Sequence, residues 1–428
     1  MDAQSISGLR PRLEEFLEQF DDCFGRPEPR GHLRTYVDGQ LSDLPRKSVE
    51  PIAMKFDTPP RTLQQFLSRA HWDEDRMRRR LHERVAALHT QAGAIGIIDE
   101  TSYHKKGNKT PGVQRQWCGS RGKTDNCVVS VHLAYAGSGG LRVLLDGELY
   151  LPESWAKDHP RREAANIPPA MNFRPKWQIA LELLDRAVGH GVRLPWLTFD
   201  EGYGSIPQWH AALDQRGQNY VGEVPPNFFG WSQRPQPLQK RHHPKQRQSL
   251  KVKSPPASRV DDLVSYSPVF RKQPWQKFHV KDGHKGPIVW EAKSAEFFYS
   301  DEGLPSGPHR LIVARNVLEP SEVKYLVSNA PPNTGLCQML RVGLGRYPVE
   351  RCFEDDKTEL GLDHFEVRNY PSLKRHLIIS SLSLMFLAEV HRQDRGKKSG
   401  LDGLPSEDRE QRNDPIAAAA PGPGACVS

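Results

Sequence analysis

At 428 residues, the chain is longer than one compact core usually runs, so we expect two or three folding units. The hydrophobic content is 37%, and no apolar run approaches the roughly 18 residues of a membrane span, so we predict a globular protein that is not embedded in a membrane. The net charge of +8 favours a polyanionic partner, although proteins that bind none can have the same balance.

The first residues and the cysteines favour an intracellular protein. The start of the chain lacks the basic-then-apolar pattern of a signal peptide. The six cysteines show neither a CxxC motif nor a Cys/His ligand spacing, which indicates reduced thiols and no structural zinc. We expect a cytoplasmic location.

Residues 1–90 are predicted to form a helical region. Two apolar stripes with helical spacing occur before residue 71, and Asp73 can cap a third helix over residues 74–89. The third helix carries five arginines between Arg76 and Arg84, which could follow a phosphate backbone. A solvated helix explains the same pattern equally well. DNA binding is the role that we assign to this region.

Residues 91–225 show the pattern of a mixed α/β core. The apolar run AIGIID ends in Asp99, as expected of a buried strand that delivers a carboxylate at its exit. Runs at 127–136 and 141–151, joined by GSGG, predict an antiparallel meander with the first strand. After a helix that begins near Pro175, a second buried run ends in Asp200, and a last strand is predicted at 219–225. This order is that of the ribonuclease H (RNase H) fold, a mixed sheet flanked by helices.

The remaining chain is predicted to contain an insertion, a return to the core and a tail. Residues 226–335 contain short strand-like pieces and a basic, proline-containing arm at 239–259, which predicts a β-rich insertion. Residues 336–395 return to the core with the helix of Glu350, so the insertion lies between the second and third acids. Residues 396–428 have the composition of a disordered tail.

The segment from Arg346 to Arg368 has the clearest chemical pattern. Pro348 can begin a helix with Glu350 in its first turn, and α-helical spacing places Lys357 on the same face, with Arg346 just ahead. Such a cluster could hold a metal and phosphates, whereas the alternative is an exposed helix with ordinary ion pairs.

Three carboxylates, those of Asp99, Asp200 and Glu350, can serve as metal ligands if the fold brings them together. They could hold two divalent cations about 3.5 to 4 Å apart for an in-line phosphodiester displacement. Mg²⁺ is the expected ion, with Mn²⁺ as a substitute, because the pattern supplies hard oxygen ligands and no histidine or cysteine. Taken singly, either aspartate could instead be a helix cap or a turn residue.

Several segments resemble the DDE transposases of bacterial insertion sequences, in the subgroup with a Tyr, Arg, Glu, Lys signature. They include IIDETSYHKKGNKTPGVQRQWCGSRGKTDNC, LYLPESWAKDHPRREAANIP, TFDEGYG and RYPVERCFEDDKTELGLDHFEVRNYPSLKRH, and the resemblance runs from about Gly39 to Val390. It implies that Asp99, Asp200 and Glu350 are the metal ligands. Arg346 and Lys357 match the signature by their spacing from Glu350, but Gly343 stands at the position of its tyrosine.

Further residues near the predicted site could contact DNA. Five cations flank it and could bind phosphates, or could be plain solvated charge. They are Lys105, Lys106, Arg115, Arg121 and Lys123. Trp117 and Trp155 could stack on an extruded base, although large aromatic residues more often belong to the core.

The function implied by this resemblance is transposition of an insertion sequence. The enzyme would cut the element ends and join the 3′-hydroxyl to target DNA. Its expected partners are double-stranded DNA, as terminal inverted repeats and target, and a second copy of the chain in a synaptic complex, in association with the nucleoid. The alternatives are a catalytically inactive DNA-binding relative, such as a repressor or a domesticated relic, and a repair or resolving nuclease on the same fold.

Overall fold

A computed structural model describes residues 8–236, 254–283 and 286–400, which form two compact units. Among these residues, the first unit comprises 8–194 and 347–400, and the second comprises 195–346 with its two gaps. Residues 237–253, which include most of the basic arm predicted at 239–259, lie outside the described residues, as do residues 401–428 of the predicted tail.

Five helices open the first unit. They are α1 (Leu9–Glu18), α2 (Pro27–Leu41), α3 (Val49–Lys55), α4 (Pro60–Ser68) and α5 (Glu74–Leu88). Asp73 caps α5 as predicted, because its side chain accepts the Arg76 N–H at 2.8 Å. The sequence did not predict α2 and α3. Gly39 in α2 packs against Ile52 of α3 so closely that a Cβ atom there would lie 2.4 Å from the isoleucine, a long-range fit that periodicity does not reveal.

The sheet of the first unit is built around one long strand. Its strands are β1 (Ile95–His104), β2 (Gln114–Cys118), β3 (Lys123–Ala136) and β4 (Arg142–Leu149). β3 pairs antiparallel with β1, β2 and β4, which confirms the predicted meander and adds the β2 hairpin. Cys127 of β3 pairs with His104 of β1 and also with Gln114 of β2, so β1 lies along one edge of β3 while β2 and β4 share the other.

Three helices follow the sheet in the first unit. They are α6 (Glu153–Ala156), α7 (His159–Ala164) and α8 (Lys176–Gly189). α8 begins directly after Pro175, as predicted, and contacts β3 and β4. Its buried residues include Ile179 and Leu183, which form the apolar stripe that a helix presents to a sheet.

The second unit begins with β5 (Trp196–Phe199), α9 (Glu201–Gly204), α10 (Pro207–Gln215) and β6 (Val221–Val224). A parallel bridge joins Leu197 of β5 to Tyr220, just before β6. The elements that follow are β7 (Phe229–Trp231), β8 (Ser258–Arg259), α11 (Val260–Tyr266), α12 (Pro268–Arg271), β9 (Gln276–Gly283), β10 (Gly286–Asp301), β11 (Leu304–Pro305), β12 (His309–Asn316), β13 (Val323–Ser328) and α13 (Leu336–Gly343). The sheet order is β6-β13-β12-β10-β7-β8, and β9 and β11 also pair with β10.

The chain returns to the first unit through α14 (Tyr347–Asp355), a π-helical turn (Asp356–Leu360) and α15 (Tyr370–Gly400). The tail was predicted to begin at residue 396, but α15 continues to Gly400. The prediction is therefore wrong for residues 396–400, which are helical. It packs on β4, α4 and α2, and its apolar residues complete the core of this unit. Within the described ranges, no helix is long and apolar enough to cross a membrane. The mixed architecture confirms the predicted α/β class.

Candidate active site

Asp99 lies within β1 and not at its end. The strand continues for five residues to His104, because residues 100–104 pair with β3 and include no glycine or proline that would end the strand. The expectation that Asp99 marks the strand exit is therefore wrong. Its side chain is 8% exposed, and Oδ1 accepts the N–H of Glu100 at 2.8 Å.

A buried polar group lies beside Asp99 on the neighbouring strand. His132 is the direct cross-strand partner of Asp99, so the two side chains share one face of the sheet. Its Nε2 lies 2.6 Å from Ser130 Oγ, which lies 2.7 Å from the Tyr103 hydroxyl. Burial lowers the pKa of His132 to about 3. The imidazole ring packs against Gly147 so closely that a Cβ atom on that residue would lie 2.5 Å from Nδ1. His132 is therefore neutral and packed into the sheet.

The helix of Glu350 packs on the sheet face that carries Asp99. Val349 and Phe353 of α14 belong to the same apolar cluster as Tyr103 of β1. The Phe353 ring lies 5.3 Å from the ring of His132, in an edge-to-face arrangement. Glu350 lies one turn before Phe353, in the first turn of the helix as predicted, and it is exposed. Packing thus ties the strand of Asp99 to the helix of Glu350.

Lys357 reaches the same strand from the π-helical turn after α14. A π turn changes the rotation per residue, so the α-helical spacing used in the sequence does not apply at Lys357. Its Nζ donates to Thr101 Oγ1 at 2.6 Å and to the Ser102 carbonyl at 3.2 Å, and it lies 5.5 Å from the centroid of the Tyr103 ring. Burial lowers the pKa of this ammonium, whereas Asp363 raises it. The ammonium of Lys357 thus contacts the strand of Asp99 at Thr101, two residues beyond Asp99.

Asp356, the residue before Lys357, is fully buried. Neither of its carboxyl oxygens has a hydrogen-bond partner among the described residues. Burial raises the pKa of this carboxyl to about 8, against the opposing effect of Lys357. Asp356 is therefore mainly protonated at neutral pH and is not a charged ligand.

Asp200 directly follows β5 and caps α9. Its Oδ1 accepts the Tyr203 N–H at 3.3 Å, so the residue is both the predicted strand exit and a helix cap. Gly204, at the end of this short helix, lies so close to β6 that a Cβ would meet the carbonyl oxygen of Glu223 at 1.8 Å. This close approach explains the second glycine of TFDEGYG and fixes the turn that presents Asp200.

Two residues just before α14 also belong to the family signature. Arg346 immediately precedes the helix and is partly buried. Gly343, at the signature tyrosine position, is the last residue of α13 and is buried in the second unit. A Cβ there would lie 2.8 Å from Leu326 and 2.9 Å from Val221, so this backbone leaves no room for a tyrosine.

The five cations expected near the site differ in their surroundings. Lys105 donates to the carbonyls of Asp363 and Phe365 at 2.9 and 2.7 Å, and burial lowers its pKa to about 8. The other four are exposed. They are Lys106, Arg115, Arg121 and Lys123. Lys105 thus holds the loop after β1 in place, while the others face solvent.

The two tryptophans and the arginines of α5 also separate by environment. Trp155 is buried and donates to the Val113 carbonyl at 2.8 Å, whereas Trp117 is 62% exposed on β2. Arg78 is buried and pairs with Asp146, with 2.9 Å between its Nε and the carboxylate. Most of the α5 arginines likewise pair within the fold. The phosphate-binding face considered for this helix is therefore largely occupied by internal ion pairs.

The donor chemistry of the three acids fits Mg²⁺, since Asp99, Asp200 and Glu350 offer carboxylate oxygens. His132, the cross-strand partner of Asp99, has its Nε2 engaged by Ser130. Among the described residues, no three histidine, cysteine or acidic side chains form a group that could hold a metal ion.

Sequence reasoning missed His132, Ser130 and Thr101, the polar residues around Asp99. Their signal was present but weak: Ser130 and His132 lie two positions apart in the otherwise apolar run 127–136, which places them on one face of the strand. Only the register of β3 shows that this face is the one carrying Asp99.

Comparisons with known proteins agree with these observations. Residues 19–287 match a family described as DDE superfamily endonuclease, a range that covers more than half of the chain and includes Asp99 and Asp200. The chain is also similar to a probable transposase for insertion sequence element IS701 from Microchaete diplosiphon, with 31% identity over 193 residues. That alignment covers 45% of this chain and 48% of the relative, so the chain spans about half of that protein's length. The predicted RNase H-like fold class is confirmed, and the chain belongs to the DDE superfamily of endonucleases.

Proposed function

We propose that this protein is an insertion-sequence transposase that cuts the ends of its element and joins the freed 3′-hydroxyl to target DNA. The observation that carries the proposal is the sheet face of Asp99. The helix α14, which contains Glu350, packs on this face, and the ammonium of Lys357 contacts the same strand. Similarity to a probable insertion-sequence transposase supports the choice of DNA as substrate.

The proposed roles follow from residue chemistry. Asp99, Asp200 and Glu350 would hold two Mg²⁺ ions, for which Mn²⁺ would substitute. When bound, these ions would neutralise the charge that develops on phosphate oxygens during an in-line displacement. Lys357 would hold a phosphate beside the strand of Asp99, and Arg346 would do so ahead of α14.

DNA phosphates away from the reacting bond would meet exposed cations. Lys106, Arg115, Arg121 and Lys123 are the candidates, because their charges face solvent. We assign recognition of the terminal repeats to residues 1–90 and to the insertion at 226–335. Two copies of the chain would pair the element ends in a complex formed at the nucleoid, since each end needs its own set of carboxylates.

A strand-transfer assay tests the proposal. The full chain is incubated with a linear donor carrying candidate element ends, a supercoiled target and Mg²⁺. We expect cuts at the donor ends and covalent donor–target joints, both lost in EDTA. A resolving or repair nuclease would cut without joining, and a binding-only relative would shift the donor without cutting it. Either of these results would contradict the proposal.

A matched variant excludes contaminating nuclease. Glu350→Gln keeps the size of the side chain and removes its charge, so purified variant protein should bind the donor and leave it intact. Glu354→Gln, one turn further along α14 and ion-paired with Arg351, should cut normally. Equal cutting by wild type and Glu350→Gln would assign the activity to a contaminant or to other residues.

A further inference from the structure

The outward face of the β2–β3 hairpin carries an exposed tryptophan. Trp117 is 62% exposed, and its cross-strand neighbour is Thr124, whose small side chain leaves one side of the indole uncovered. Arg115 lies two residues earlier on the same face and is also exposed. An exposed indole offers a flat face on which another ring can stack.

The hairpin is held firmly against β1. Its inward face is closed by a buried group of Cys118, Cys127 and Val129. At its tip, the Ser120 N–H donates to Ser102 Oγ at 3.3 Å, and the carbonyl of the same Ser102 accepts from Lys357. The indole is therefore carried by an ordered platform, fixed to the strand of Asp99.

The charged residues around Trp117 are mainly positive. The loop that precedes β2 is tied to the hairpin, because Asn126 donates to the carbonyls of Lys105 and Gly107 at 2.6 and 2.9 Å. Three exposed cations, on this loop and on the outward face of β2, form no ion pair with any described residue. They are Lys106, Lys109 and Arg115.

We propose that this face, defined by Trp117 and the cations Lys106, Lys109 and Arg115, binds an unpaired nucleotide. The base stacks on the indole, and the cations contact the phosphates on either side of it. Any base offers a flat face for stacking, whereas a base inside a duplex has both faces covered. Uncompensated positive charge favours a polyanion over a protein partner. The inference rests on the proposed action on DNA and adds the unpaired strand as its ligand.

Affinity for two matched probes tests the inference. The full chain is titrated with a blunt labelled duplex and with the same duplex carrying a short single-stranded overhang. We expect wild type to prefer the overhang, and Trp117→Ala to lose about tenfold in affinity for it while binding the blunt duplex normally. Trp117→Phe, which keeps an aromatic face, should retain most of the preference. Val188→Ala removes another exposed apolar side chain, on α8, and should change neither affinity.

Each failure has its own pattern. If wild type binds both probes equally and Trp117→Ala behaves like wild type, the stacking site is wrong while action on DNA stands. If Trp117→Ala weakens both probes equally, the indole contacts duplex and the inference is also wrong. If wild type binds neither probe, the proposed function fails together with it.

Discussion

Replacing Asp146 by asparagine should destabilise the first unit, because its carboxylate joins three elements of the core. Asp146 lies in β4 and is 3% exposed. Its Oδ1 lies 2.9 Å from Arg78 Nε of α5, and its Oδ2 accepts from Arg186 Nε of α8 at 2.6 Å. Burial alone would raise the pKa of Asp146, but Arg78 and Arg186 outweigh it and hold the pKa below its ordinary value. The carboxylate is therefore charged in the folded protein.

The size of the effect follows from what the substitution leaves behind. Asparagine fills the same space but leaves Arg78, whose side chain is 3% exposed, with Asp75 as its remaining ion-pair partner on the exposed side. Removing one partner of a buried pair costs about 3 to 5 kcal/mol, and we expect the lower end because Asp75 remains. That loss is a large part of the roughly 5 to 15 kcal/mol that stabilises a typical domain.

Urea denaturation followed by circular dichroism measures the loss. Asp355→Asn is the matched control, because its partners Arg142 and Arg351 are each 35% exposed and such pairs contribute about 0 to 1 kcal/mol. The helices of residues 8–88 should unfold together with the sheet, since the network spans both. If Asp146→Asn lies within about 1 kcal/mol of the control, the network does not hold α5 to the sheet and the reasoning fails.

Three further predictions concern the site and its surroundings. Lys357→Met should slow cleavage by about a hundredfold or more, because it removes a cation from the strand of Asp99; unchanged single-turnover cleavage would exclude the phosphate role. Asp356→Asn should be more stable than wild type at pH 8 by about 1 kcal/mol or more. Burial raises the pKa of Asp356 to about 8, so between about pH 4 and pH 8 the carboxyl ionises in the unfolded chain but not in the folded chain, and wild type loses stability as pH rises. A lower urea midpoint of the variant at pH 8 would contradict this. Burial lowers the pKa of His82 and of His376 to about 4. As pH falls, the two imidazoles therefore bind protons below about pH 6.5 in the unfolded chain, but only near pH 4 in the folded chain. Stability should fall by about 1.4 kcal/mol per pH unit for each imidazole over that window, and equal urea midpoints at pH 7 and pH 5 would refute it.

Much of the core could be predicted from local pattern. Asp99 and Asp200 each follow a continuous apolar run, which is the pattern of a strand buried on both faces, and Glu350 follows a proline that can begin a helix. These features depend on neighbouring residues, so the sequence contains them directly. The structure places each acid on the expected type of element, although β1 runs five residues past Asp99.

The surroundings of the site depend on distant pairings that the sequence does not display. Lys357 meets Thr101 because α14 ends in a π turn, a feature without a local signal. In the sequence, Arg78 resembles a surface arginine. In the structure it is buried and forms an ion pair with Asp146, which lies far along the chain. Large aromatic residues more often belong to the core, so the sequence did not favour an exposed Trp117. Only the pairing of β2 with β3 shows which side of the hairpin carries it.

We propose that Asp99, Asp200 and Glu350 act as one metal-dependent site, and matched measurements of single-turnover cleavage and of Mn²⁺ binding test this claim most directly. Asp99→Asn, Asp200→Asn and Glu350→Gln are compared with Asp125→Asn, a carboxylate on the β2–β3 hairpin. We expect each of the three variants to bind end DNA like wild type, to lose cleavage and to bind Mn²⁺ more weakly, because a divalent ion requires the negative charge. Asp125→Asn should retain cleavage and Mn²⁺ binding. A purified variant among the three that still cuts element ends in Mg²⁺ and binds Mn²⁺ normally would remove that acid from the site, and three such variants would contradict the claim.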